Sequence, residues 1–224
     1  MKKIIVMALA AITMVSASFA LNLSFGVRAN LGKNLDNDLS NISAEISSIN
    51  AESDFEYGFG VMANAAILGG LGVQAELNLT KGKVNFSGVS SIGDTPVTNN
   101  YDTWLLDVPV MLWLNLDVWK LTVGFGGGVN MAFDLNSGSL AEMYSQTEAL
   151  VKDNLFKMGA AAGADVKFFV TDSFALVVSG RWIMDFEKKT ASFELGEGMD
   201  LKYPTVEFQR NSIYGGIGVE LKLL

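Results

Sequence analysis

The sequence of this 224-residue chain predicts an eight-stranded, antiparallel, up-and-down β-barrel that crosses a membrane. Apolar and polar residues alternate with a period of two in eight segments, as expected when successive side chains point to opposite faces of a strand. Most of these segments reach the about 9–11 residues that a tilted strand needs to cross a bilayer. The connections between the segments also alternate in length, and this alternation is typical of transmembrane barrels.

The clearest pair of strands lies in the middle of the chain. Apolar residues occupy the even positions from Trp104 to Leu114, and the odd positions from Trp119 to Phe133 are mostly apolar as well. Each segment is longer than a typical strand of a soluble sheet. The complete set of predicted strands comprises residues 21–32, 54–67, 71–80, 104–114, 119–134, 155–170, 174–186 and 212–223.

The seven predicted connections fall into two classes. Tight turns are expected at residues 68–70, 115–118 and 171–173, and long connections at residues 33–53, 82–102, 135–154 and 187–210. In such barrels the long loops lie outside the cell and the tight turns lie in the periplasm.

Two of the long connections carry helical patterns. A short amphipathic helix, or else a flexible loop, is expected where apolar residues recur at spacings of four and three, at Leu35, Leu39, Ile42, Ile46 and Ile49. A second short helix is expected at residues 140–152, because Ser139 and Glu142 fit an N-cap and its capping-box partner.

Residues 1–20 are predicted to be a secretory signal peptide. Lys2 and Lys3 supply its positive start, residues 4–15 its apolar core, and Ser18 and Ala20 the small residues before a cleavage site. We therefore expect cleavage after Ala20 and a barrel domain over residues 21–224. No Cys follows the site, so a lipoprotein is not predicted.

Composition excludes several classes of function. The chain has no Cys and no His, so thiol chemistry is excluded and the commonest general base and metal ligand is missing. No cofactor is predicted. The formal charge of -8 becomes -10 when the two lysines of the leader are removed, and this acidity argues against a nucleic-acid partner.

Three features indicate that the apolar faces of the strands point outward, toward lipid. The polar faces are rich in glycine, which suits a crowded barrel interior. Few charges stand on the strands. Aromatic residues of the apolar faces cluster near the strand ends, as in interfacial girdles. We expect one girdle at Phe55, Tyr57, Trp104, Phe133, Phe156 and Phe186, and the other at Trp119, Phe168 and Phe174.

Four charged residues are predicted to point into the barrel at similar depth. They are Arg28, Glu76, Asp107 and Arg181. Because an isolated charge away from water is costly, we expect them to pair in one structural network that plugs the narrow lumen. Separate solvation in a wet lumen is the alternative. A second cluster, nearer the turns, is expected among Asp165, Lys167, Lys120, Glu220 and Lys222.

Short motifs on the fourth to seventh strands resemble a known family. Residues 106–110 (Leu-Asp-Val-Pro-Val), the glycines around positions 124–128 and 159–163, and the pair Arg181-Trp182 are similar to the outer-membrane β-barrel family that includes PorT-like and OmpX/OmpA-type small barrels. The resemblance implies an integral outer-membrane location and insertion by the outer-membrane assembly machinery. The chain departs from the pattern at its end, where Leu223-Leu224 stands in place of the usual terminal aromatic residue.

Function is less narrowly predicted than fold. The known outer-membrane barrel acyltransferases, phospholipases and proteases resemble one another in using His, which this chain lacks, and a Glu76–Asp107 acid–base pair is less plausible than ion pairs with arginine. The chain is therefore not expected to be an enzyme. We expect a monomer with a structural or surface-interaction role, contacting an unidentified extracellular ligand or protein through its four long loops. The alternative is a narrow channel for small or hydrophobic solutes.

Overall fold

The computed structural model describes residues 22–35, 46–53, 55–68, 70–90, 96–135, 156–187, 189–192 and 205–223. The predicted leader, its cleavage site and the helix expected at residues 140–152 lie outside these residues. Within the described ranges, no helix is long and apolar enough to span a membrane.

The described residues form eleven β-strands. They are β1 (Asn22–Asn34), β2 (Ile46–Ser53), β3 (Glu56–Leu68), β4 (Leu71–Ser90), β5 (Pro96–Val118), β6 (Leu121–Asp134), β7 (Phe156–Phe169), β8 (Phe174–Asp185), β9 (Lys189–Ser192), β10 (Thr205–Phe208) and β11 (Asn211–Lys222).

Eight of these strands close into a ring, which confirms the predicted fold class. The order around the ring is β1-β3-β4-β5-β6-β7-β8-β11, and every neighbouring pair is antiparallel. The first and last strands close it, with Val27 of β1 opposite both Val61 of β3 and Val219 of β11. A closed ring leaves no unpaired edge in the membrane, where unsatisfied backbone groups are costly.

Three tight turns lie at one end of the barrel, here called the turn end. The turn between β3 and β4 includes Gly70 at φ 90°, and residues 170–173 connect β7 to β8, both as expected. The turn expected at residues 115–118 is wrong. β5 continues through Val118, which pairs with Leu121, and the turn consists of Trp119 and Lys120. Trp119 adopts φ 57°, a positive value that two-residue hairpin turns need. The sequence does not predict it, because such positions usually hold Gly, Asn or Asp.

The opposite end, here called the loop end, carries more strand than expected. Residues 82–102 are not a loop throughout: β4 extends to Ser90 and β5 begins at Pro96, and they pair from Val84 opposite Tyr101 to Val89 opposite Pro96. The Gly-, Ser- and Asn-rich composition suggested a loop, but backbone pairing does not require an apolar face.

The helix expected in the first long connection is also wrong over its described part. Ile46 and Ile49 belong to β2, which runs antiparallel to the extension of β4. We call β2, residues 84–90 and residues 96–101 together the projecting sheet. In the fourth long connection, β9 and β10 form a separate two-stranded sheet.

Side chains alternate between lipid and lumen, as predicted. On β8 the residues Ala175, Val177, Ser179, Arg181, Ile183 and Asp185 are buried. Their neighbours Leu176 and Val178 are 49% and 61% exposed. A barrel with charges buried and aliphatic side chains exposed is inverted relative to a soluble one, so its outer surface is suited to lipid.

Candidate functional site

The centre of the lumen is organised around Glu76 of β4. Arg28 of β1 donates from Nη1 to Glu76 Oε1 at 3.1 Å and also contacts Oε2 through Nη2. Arg181 of β8 donates to Oε1 from Nε at 2.9 Å and from Nη2 at 2.7 Å. Since β4 and β8 lie on opposite sides of the eight-stranded ring, the Arg181–Glu76 pair spans the barrel.

Asp165 of β7 completes this group. Arg181 donates to it from Nη1 at 2.6 Å and from Nη2 at 3.1 Å. Arg28, Glu76, Asp165 and Arg181, the central cluster, thus hold two positive and two negative charges. Their side chains are at most 3% exposed, and burial at this level requires such pairing. Gln74 bonds both carboxylates, at 2.7 and 3.3 Å.

A second group lies nearer the loop end and is called the mouth cluster. Arg210, just before β11, donates to Asp107 of β5 at 2.7 and 2.6 Å in a bidentate pair. Arg210 also donates to Tyr214 Oη at 2.8 Å, and that hydroxyl donates to Glu56. Asn130 donates to Asp107 at 2.8 Å. β5 and β11 are again on opposite sides of the ring, so this pair also crosses the lumen.

The predicted four-residue network is only partly assembled. Arg28, Glu76 and Arg181 meet, but Asp107 is bound by Arg210, a residue for which the sequence predicts a loop. One signal could have found Arg210: the inward parity of Tyr214 and Ser212 on the last strand continues back to position 210.

The second predicted cluster is smaller than expected. Lys167 and Glu220 pair at 2.8 Å near the turn end. Asp165 instead joins the central cluster, and Lys120 and Lys222 are exposed. Depth along a strand does not by itself assign partners, because strand tilt staggers neighbouring strands.

Little space remains between these groups. A cavity of about 10 Å³, lined in part by Asn30, Asn78 and Thr80, lies between the central and mouth clusters and has room for about one water. Toward the turn end, buried Trp113 and Met111 fill the lumen, and the guanidinium of Arg181 stands 5.0 Å from the Trp113 ring centre.

The two acids of the lumen predicted from the sequence, Glu76 and Asp107, are both engaged in hydrogen bonds. Glu76 and Asp107 accept hydrogen bonds on both carboxylate oxygens, from guanidinium or amide donors. A carboxylate so engaged is not poised to take a proton from a substrate. No group of three or more Asp or Glu among the described residues is placed to hold a metal ion.

A closed antiparallel barrel with an apolar outer surface and a polar, filled lumen defines an integral outer-membrane protein. The chain belongs to the family described as outer membrane protein beta-barrel domain, whose model matches residues 6–209. The outer membrane is therefore its location and lipid its immediate environment.

Solved structures show the same fold at low sequence identity. The chain is similar to the outer membrane protein OprG from Pseudomonas aeruginosa, with a TM-score of 0.65 and 13% identity over 92% of this chain and 98% of that one. It is also similar to the outer membrane protein AlkL in lipid bilayers, with a TM-score of 0.52 and 15% identity over 93% of both chains. No curated protein sequence matches the chain.

Proposed function

We propose that this protein is a non-enzymatic, surface-interaction protein of the outer membrane, whose sealed barrel anchors a sheet that contacts a partner outside the cell. The observation that carries the proposal is the closure of the lumen by two ion pairs that cross it, Arg181–Glu76 and Arg210–Asp107.

Closure by these pairs disfavours conduction. The two pairs lie at different depths and join different strands, so a solute would have to separate both. Separating a buried pair leaves uncompensated charges and costs about 3–5 kcal/mol. The cavity of about 10 Å³ between the clusters has room for about one water, so the space between the two pairs is too small for a larger solute.

The projecting sheet is the part that remains available to a partner. β4 and β5 contain 20 and 23 residues, whereas the other six strands of the ring contain 12 to 14. Their surplus lies entirely at the loop end and is paired, so it offers an ordered surface rather than a loose loop. Function concentrates on such segments when a rigid scaffold positions them.

Charge in the sequence indicates the character of the partner. The first connection, residues 35–55, contains the five acids Asp36, Asp38, Glu45, Glu52 and Asp54 and no Lys or Arg. The segment includes β2, one strand of the projecting sheet. We expect the complementary surface of the partner to be cationic, since like charges at an interface are costly.

The test combines conductance with a matched variant. In planar bilayers the wild-type protein should show no steady ion conductance. In the variant, residues 84–101 are replaced by Asn-Gly, which removes the extensions of β4 and β5, including the part of β4 that pairs with β2, but leaves the ring intact. The acids of residues 35–55 stay in the variant, so loss of a ligand assigns its binding to the ordered projecting sheet. Vesicles carrying either protein are then tested on an array of purified proteins and glycans from cell surfaces. A cationic ligand retained by the wild type and lost by the variant supports the proposal.

The competing function is a narrow channel, and the polar cavity between the two clusters is the observation in its favour. Steady conductance by the wild type that persists in the shortened variant would favour the channel over the surface-interaction function. The double variant Arg181→Ala/Arg210→Ala removes the cation from both cross-lumen pairs, so conductance by this variant alone would show that these pairs, rather than Trp113 and Met111, close the lumen.

A further inference from the structure

Lysines at the loop end are distributed unevenly around the outside of the barrel. Lys33 of β1 and Lys83 of β4 are exposed, and Lys81 of β4 is half-buried on the same outer face. The acids Glu56, Asp107 and Asp185 at this end are buried in the lumen. Among the side chains that the structure describes, no other cation faces outward from a ring strand at this end. The lysines therefore flank β3 and concentrate on one side of the barrel.

Aromatic side chains separate and support these lysines. Tyr57 of β3 lies directly opposite Lys81, which in turn lies opposite Trp104 of β5. The ammonium of Lys81 stands 5.5 Å from the Trp104 ring centre. Phe55 and Tyr57 are 65% and 57% exposed on the same outer face. Rings and lysines of this kind settle at the level of lipid headgroups, with apolar parts in the membrane and polar tips in water.

The distances suit one shared headgroup. Leu31 lies opposite Tyr57, and Lys33 is two residues further toward the loop end on β1. Adjacent strands are about 4.8 Å apart and residues rise about 3.4 Å along a strand, so the backbones of Lys33 and Lys81 are about 10 Å apart across the sheet, about 7 Å apart along it and about 12 Å apart in all. Their long, flexible stems can bring both ammonium groups onto the phosphates of one ligand.

The surface toward the turn end from this patch is apolar. Val61 and Leu77 lie opposite each other on β3 and β4 and are 46% and 45% exposed. A ligand with its phosphate among the lysines would place an attached chain along these residues. This favours a lipid over a soluble phosphate compound.

We propose that Lys33, Lys81 and Lys83, with Tyr57 and Trp104, form a binding site for the phosphate headgroup of an outer-leaflet lipid. Ammonium–phosphate contacts are charge-assisted hydrogen bonds, and the Trp104 ring, whose centre is 5.5 Å from the Lys81 ammonium, supports that lysine. Lys33 and Lys81 are the residues to test, because they come from the two strands that flank β3. The lipid is assigned to the outer leaflet because the loop end is proposed to face the outside of the cell.

The experiment measures binding of a phosphorylated lipid by the full barrel protein. The protein in a neutral detergent is titrated with diphosphorylated lipid A and with its dephosphorylated form, and bound lipid is counted by native mass spectrometry. Wild type should bind the phosphorylated form at least about tenfold more tightly. Lys33→Gln/Lys81→Gln should lose most of this preference and still bind the dephosphorylated form as wild type does.

Lys120 supplies the matched control. Its ammonium stands 5.7 Å from the Trp119 ring centre at the turn end, so Lys120→Gln removes a similar lysine from a similar ring. This variant should keep the preference for the phosphorylated lipid. All three proteins should show the same heat-dependent electrophoretic mobility, because the substituted side chains lie outside the lumen.

Three results would overturn the site. They are equal lipid preference in wild type and Lys33→Gln/Lys81→Gln, an equal loss in Lys120→Gln, and displacement of the lipid by millimolar pyrophosphate. Displacement would assign the lysines to soluble phosphates instead. Binding in detergent does not depend on orientation, so an inverted barrel in cells would contradict the outward loop end and the leaflet while leaving this binding intact.

Discussion

At the residue scale, Glu76 shows how a buried charge is kept in a membrane protein. It accepts hydrogen bonds from Arg28, Arg181, Gln74 and Asn78, which come from three strands of the ring. A carboxylate away from water needs its lone pairs filled and its charge balanced. The central cluster does both, and in doing so links opposite walls of the barrel.

Substituting Arg181 with Ala should lower the free energy of unfolding by about 3–5 kcal/mol, because it leaves buried carboxylates short of a cation. Adding Asp165→Asn should recover part of this loss, since Arg181 is the cation that contacts Asp165. Adding Asp107→Asn to Arg181→Ala should instead lower the stability further, because Asp107 pairs with Arg210. Urea unfolding in detergent, followed by tryptophan fluorescence, measures all three. If Asp107→Asn restored stability to Arg181→Ala and Asp165→Asn did not, the pairs Arg181–Asp165 and Arg210–Asp107 would be contradicted.

Glycine packing gives a second prediction at this scale. A Cβ added at Gly126 would lie 2.1 Å from the Leu112 carbonyl oxygen and 2.6 Å from Trp113 Cε3, whereas one added at Gly127 would be 3.5 Å from its nearest neighbour. Gly126→Ala should therefore destabilise the barrel by about 1–3 kcal/mol through overpacking. Gly127→Ala should leave the urea midpoint nearly unchanged. Equal effects of the two substitutions would show that the lumen beside Trp113 is not tightly filled.

At the element scale, the two longest strands serve two environments. The ring portion of β5 alternates between lipid and lumen, with Leu112 68% exposed and Asp107 1% exposed. On the loop-end side of Trp104, residues 96–101 of the same strand belong to the projecting sheet and pair with β4. The same backbone hydrogen bonds form in the projecting sheet and in the ring, so one strand can run from solvent into the membrane.

Replacing residues 84–101 by Asn-Gly should leave the stability of the barrel nearly unchanged. The ring pairs Asn78 opposite Asp107 and Lys81 opposite Trp104 lie below the cut and remain. Heat-dependent mobility and urea unfolding in detergent should match those of the wild type. A control that deletes residues 77–108 removes ring pairs and should not fold. Failure of the shorter deletion to fold would mean that the extension supports the ring.

At the scale of the whole molecule, ring closure sets the direction of the chain in the membrane. Eight strands place both ends of the ring, Asn22 of β1 and Lys222 of β11, at the turn end. In barrels of this class the tight turns face the periplasm and the long connections face outward. The projecting sheet and the lysine patch then both lie at the external side.

Protease sites inserted at opposite ends should report this orientation. A site after Asp172, between β7 and β8, should stay protected in intact cells and be cut after the cells are broken. A site after Gly196, in the fourth long connection, should be cut in intact cells. Protection should be read against a periplasmic marker that stays uncut. The reverse pattern would invert the topology and remove the external role of the projecting sheet.

The period-two alternation by itself determined the eight strands, their faces and the inward direction of the buried charges, because parity along a strand is local. It also determined two of the three turns, where Gly70 and the polar residues around Asp172 mark a break. Composition does not distinguish a loop from a polar strand, so the sequence does not predict β2 or the extensions of β4 and β5.

Only the tertiary structure decided which charges meet. Ring order and stagger placed β4 opposite β8 and β5 opposite β11, which gave Arg181 to Glu76 and Arg210 to Asp107. They also placed Lys33 and Lys81 on the two strands that flank β3. The two ion pairs join residues 103 and 105 positions apart in the chain, and no local pattern predicts such pairings; they follow from how a tilted sheet closes on itself.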